Sequence, residues 1–91
     1  MKFKRLRVFK GDTLNFDIPV KEFVHNVPRA HVLKGNGTPI GRFEVLNENN
    51  VLKCRLSHDV TMRLQGTYKY EIAYASNNGI ATAQYGILEV M

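Results

Sequence analysis

Alternation with a period of two runs through almost the whole chain, and helical spacing is nearly absent. The clearest stretch is TYKYEIAY at 67–74. Tyr68, Tyr70, Ile72 and Tyr74 fall on one face; Thr67, Lys69, Glu71 and Ala73 fall on the other. A strand with one apolar and one polar face lies half-buried on a core. The tyrosine face therefore reads as the inside of the protein in preference to a stacking platform for sugars. Tyr74, at the hairpin end, is the tyrosine of this stretch expected at the surface.

The same period sets out the other strands. Residues 3–9 form a first strand with two mixed faces, Phe3, Arg5, Arg7 and Phe9 on one and Leu6 and Val8 on the other. TLNFDIPV places Leu14, Phe16 and Ile18 together, and Pro19 ends the strand or marks an edge. Residues 20–29 give no clear pattern. A third strand is expected over Ala30–Lys34, followed by a GNG turn at 35–37. PIGRFEVLN reads as one strand with Phe43 and Val45 on its inner face. NENN makes a polar turn, and VLKCRLS turns Leu52, Cys54 and Leu56 inward. HDVTMRLQG does not alternate and is read as a crossing loop with room for one helical turn. SNNG closes the next hairpin, with Asn78-Gly79 suited to a type I′ turn. The last strand, Ile80–Val90, is expected to bulge at Gly86, so that Ala83 and Tyr85 share a face with Leu88 and Val90.

About seven short strands with turns between them predict an all-β fold, a single antiparallel sandwich spanning 1–91. A chain of 91 residues holds one modest core without covalent staples. Its one cysteine excludes an intramolecular disulfide. The basic opening MKFKRLRVFK has no apolar run behind it, so no signal peptide is expected. No stretch approaches the ~20 apolar residues of a helical membrane span, and no membrane partner is expected.

Enzymatic chemistry finds little footing. Cys54 and His58 lack a second pair at zinc-site spacing. Ser57, His58 and Asp59 are adjacent, and side chains that diverge from neighbouring positions do not form a hydrolytic relay. GNGTPIG lacks the GK[ST] of a phosphate loop. No catalytic residue, cofactor or metal is assigned.

LQGTY has a further meaning. In immunoglobulin-like sandwiches a tyrosine near the start of the sixth strand bonds back across the preceding corner. Leu64, Gly66 and Tyr68 stand in that arrangement, with Tyr70 where antibody domains carry a core cysteine. The order KGDTLNFDI (10–18), LQGTYKYEI (64–72) and YGILEV (85–90) resembles a family of immunoglobulin-like β-sandwich domains in phage tail and baseplate proteins. The nearest analogue is the N-terminal domain of baseplate upper proteins. HNVPRAHVLKGNG departs from that pattern. The resemblance implies a non-enzymatic virion module in a tail, baseplate, neck or fibre. Such a module is made in the host cytoplasm, carried in the virion, and bound to other virion proteins or to itself as an oligomer.

The partner-binding residues read from the first strand are Phe3, Arg5, Arg7 and Phe9, cations interleaved with rings. Three other readings stand beside it. The charged strand can simply protect a sheet edge from aggregation. With a net charge of +5, it can contact single-stranded nucleic acid. A carbohydrate-binding adhesion module would instead use the tyrosine face.

Overall fold

The computed structural model describes residues 2–91. Two sheets face each other. The larger has the order β1 (Phe3–Val8), β8 (Gly79–Val90), β7 (Gly66–Ser76), β3 (Asn26–Leu33), β4 (Pro39–Arg42). The smaller has the order β2 (Leu14–Pro19), β6 (Val51–Leu56), β5 (Glu44–Glu48). One helical turn, α1 (His58–Met62), crosses between β6 and β7.

Alternation explains the core. Ile18 from β2, Leu52, Cys54 and Leu56 from β6, Val32 from β3, Tyr70 and Ile72 from β7, and Leu88 and Val90 from β8 are all buried between the sheets. Each neighbours a polar residue that faces out, as the period-two pattern requires.

Several expectations are corrected. Among the described residues there are eight strands, and one pairing is parallel: β1 lies along β8 with Phe3 opposite Tyr85 and Val8 opposite Val90. The third strand starts at Asn26. Its first half hides from pattern reading because Pro28 lies where the pairing with β7 shifts register. PIGRFEVLN is two strands. The chain leaves the larger sheet after Arg42 and enters the smaller one at Glu44. Phe43 between them is buried, and its amide donates to the Ala30 carbonyl at 2.8 Å.

The irregularity in β8 falls at Ala83, between the pairs Ala73–Thr82 and Ile72–Gln84. Gln84, Gly86, Leu88 and Val90 consequently alternate inward, and Tyr85 points out. Gly86 serves a different need. A side chain there would run into the Lys4 carbonyl oxygen, so its absence lets β1 lie against β8. In the β7–β8 turn only Gly79 takes a positive φ, 109°, so Asn78-Gly79 is not a type I′ pair. That geometry belongs to Asn49 and Asn50, at φ 51° and 63°, which join β5 to β6.

Thr61 secures the crossing loop. Fully buried on α1, it donates to the Asp12 carbonyl at 2.7 Å and accepts from the Gly11 amide at 3.2 Å. The turn after β1 is thereby held to the far side of the sandwich. Val60, also on α1, packs where a side chain at Gly41 would stand.

Candidate interaction surface

Because β1 ends the larger sheet, one of its edges is open. The Lys2 carbonyl accepts from Tyr85 N–H and the Val8 carbonyl from Met91 N–H. In a parallel ladder alternate residues direct their backbone groups to the neighbour. The even-numbered residues therefore serve β8, and Phe3, Arg5 and Arg7 present their N–H and C=O groups to the open edge. Their side chains lie on the outer face, while Leu6 and Val8 turn inward. The two mixed faces thus resolve once the strand has a partner.

Across that outer face the pairings bring together residues far apart in sequence. Phe3 meets Tyr85 edge-on, ring centroids 5.6 Å apart. Both rings are substantially exposed, 41% and 46%. A shallow depression of about 460 Å³ runs from them past Ile87 and Lys69 to Leu33. Among the described residues, Arg5, Arg7, Arg29, Arg42 and Lys69 share the face with two glutamates, Glu71 and Glu89. Glu89 lies 3.1 Å from Arg5 and 3.9 Å from Arg7, and Glu71 lies 3.9 Å from Arg29. These exposed pairs are each worth little, and the face keeps a positive surplus.

The outer face of the smaller sheet is different. Lys53 meets Asp17 and Arg55 meets Glu44, each at 3.3 Å. Glu48 adds a further carboxylate, and Leu46 between the glutamates is 60% exposed.

Phe9 stands apart from the other residues read as partner-binding. It lies beyond the end of β1 and is exposed. It stands six positions from Phe3, about 20 Å of extended chain. The missed members of the surface are Tyr85, Arg29, Arg42 and Lys69. Nothing local joins them; strand pairing does.

The tyrosine stretch divides differently. The Tyr68 hydroxyl donates to the Gln65 carbonyl and accepts from the Gln65 amide, both at 2.9 Å. Leu64 is buried beside it, and Gly66 takes φ 96°. Tyr70 is 2% exposed, packs on Phe43 with centroids 5.9 Å apart, donates to the Lys4 carbonyl at 2.8 Å and accepts from Gln84 at 3.0 Å. Burial raises its pKa. Tyr74, expected at the surface, is buried as well, and the exposed tyrosine is Tyr85. Tyr70, Ile72 and Tyr74 lie inside, so the face of 67–74 read as an alternative sugar platform is not at the surface.

The other chemical motifs stay separate. Cys54 is buried, and desolvation, with the Asp17 charge second, pushes its thiol up to about 12. His58 is exposed, 3.2 Å from Asp59, while Ser57 caps α1 without a side-chain hydrogen bond. Among the described residues no three His, Cys, Asp or Glu side chains gather as a metal site.

No family model matches the chain, and no curated protein is similar enough in sequence to count as a relative. Among solved structures, the titin domain M4 in its trigonal crystal form superposes with a TM-score of 0.58 at 22% identity, over 96% of this chain and 88% of that one. The fold is immunoglobulin-like. At that identity the likeness concerns the fold alone. In the immunoglobulin-like order of strands, the sheet β2-β6-β5 corresponds to B-E-D. The core of the other sheet, β8-β7-β3, corresponds to G-F-C, and Tyr68 opens strand F.

Proposed function

We propose that this chain is a non-enzymatic assembly module that works by protein–protein contact. The observation that carries the reading is β1. It is an open edge whose free backbone groups, at Phe3, Arg5 and Arg7, adjoin an exposed ring pair and a cationic face. Edge strands of this kind accept a further strand, the backbone supplying affinity and the side chains selectivity. The virion role, in a tail, baseplate, neck or fibre, rests on the motif resemblance of 10–18, 64–72 and 85–90. Cross-linking mass spectrometry on purified particles tests it. Links from Lys2, Lys4 or Lys10 to another virion protein are expected, and a chain absent from the particles ends the virion reading.

A nucleic-acid reading is favoured by one observation, the surplus of arginine and lysine around Phe3 and Tyr85. It requires binding to oligothymidine that weakens with salt and falls when Arg5 and Arg7 become Ala. A flat titration at low salt disposes of it. The edge-on packing of the two rings leaves them less open to base stacking than a flat platform would be, so the protein-contact reading stands first.

A further inference from the structure

The smaller sheet also ends in an open edge, β5. Asn49 and Asn50 form a two-residue turn with both φ positive, so the closing pair Glu48–Val51 exchanges both backbone hydrogen bonds. Glu44, Leu46 and Glu48 therefore direct their backbone groups to β6, and Val45 and Asn47 direct theirs outward.

The side chains along β1 and β5, two of the four edge strands, have opposite charge. The outward series on β1 is Phe3, Arg5, Arg7; on β5 it is Glu44, Leu46, Glu48. If β1 paired antiparallel with a second β1, Arg5 would stand opposite Arg5. Pairing β5 with β5 around Leu46 would set Glu44 against Glu48. Like charges directly opposite are destabilising. Among the pairings of β1 and β5, only the crossed arrangement sets opposite charges together; β2, the other edge of the smaller sheet, offers Asp17 but no exposed large apolar side chain.

We infer that β1 of one copy pairs with β5 of a second copy, head to tail, in a parallel ladder. Residues on a parallel strand bond to the two neighbours of the residue they face. Phe3, bonding to Val45 and Asn47, faces Leu46; Arg5 then faces Glu48, with Arg7 diagonal to it. Two exposed apolar side chains, Phe3 and Leu46, thereby cover each other. This accounts for their exposure, which edge protection by charge alone does not. A heterologous contact of this kind continues from copy to copy, closing into a ring or growing as a filament. The inference rests on the assembly reading and deepens it by naming the partner strand.

Disulfide trapping tests the register, because the native cysteine is buried and out of reach. Facing residues of paired strands lie about 5 Å apart, within disulfide range. A mixture of Phe3→Cys and Leu46→Cys chains under mild oxidation is expected to give the mixed disulfide well above the statistical share. A statistical distribution of the three dimers overturns the inference. Charge reversal provides an independent check by light scattering of folded protein. Arg5→Glu/Arg7→Glu and Glu48→Lys should each self-associate about tenfold more weakly than the natural chain, and their mixture should recover association. A natural chain that stays monomeric at millimolar concentration, or variants that associate unchanged, overturn the inference. Links to a different virion protein would still be seen in that case, so the assembly reading fails or survives separately.

Discussion

Tyr70 and Gly86 show how single residues hold β1 in place. The Tyr70 hydroxyl reaches the Lys4 carbonyl, and Gly86 leaves the space that this carbonyl occupies. Gly86→Ala sets a methyl group against backbone that has no rotamer to yield. A loss of about 2 kcal/mol or more is expected in denaturant unfolding, with β1 amides exchanging faster than those of β7. Tyr68→Phe removes both bonds to Gln65 while leaving the ring, for a loss of about 1–2 kcal/mol. Cys54 gives a pH prediction. Its thiol ordinarily titrates near 9.0 and is raised to about 12 in the fold. The stability contributed by this protonated thiol is therefore fully present below pH 9 and is lost as pH rises from 9 toward 12, because the unfolded chain loses the proton first. The raised Tyr70 adds to the decline in the same direction. Cys54→Val should flatten part of this slope in urea titrations, and native Cys54 should react with a thiol reagent only after unfolding.

The hairpins and the sheet switch set what can be read at the scale of elements. Strands with an unbroken inner row, β6 and most of β7, were legible because each alternate residue meets the same core. Reading failed where geometry interrupts the row. Pro28 lies at a register shift, Ala83 at a bulge, and Phe43 at a change of sheet. At Phe43 the alternation continues across the switch, since a residue passing between the sheets still points into the core they share. The Asn49-Asn50 turn carries a prediction of its own. Both residues sit in the left-handed region, which glycine occupies without cost. Asn50→Gly should stabilise the β5–β6 hairpin by up to about 1 kcal/mol, seen as a higher Tm.

At the scale of the whole molecule, the charge that looked like a property of the N-terminus belongs to a face. Arg5 and Arg7 join Arg29, Arg42 and Lys69 through strand pairing. Any association through that face should weaken with salt, since screening at about 8–10 Å suppresses exposed charge pairs at physiological ionic strength. Self-association measured between 20 mM and 500 mM salt should fall steadily; indifference to salt would point to the apolar contact of Phe3 and Leu46 alone.

By itself the sequence determined the class of fold. A period of two admits one inner and one outer face per strand, and LQGTY marked the corner where Tyr68 meets Gln65. It also marked β1 as unusual through Phe3, Arg5 and Arg7. Only the tertiary structure decided which strand lies beside which, and with it the outer face. Local alternation records whether a side chain meets the core. It carries no record of lateral neighbours, because every residue except proline offers the same backbone donor and acceptor. Tyr85 therefore read as core from the chain alone and stands outside, beside a phenylalanine eighty-two positions away.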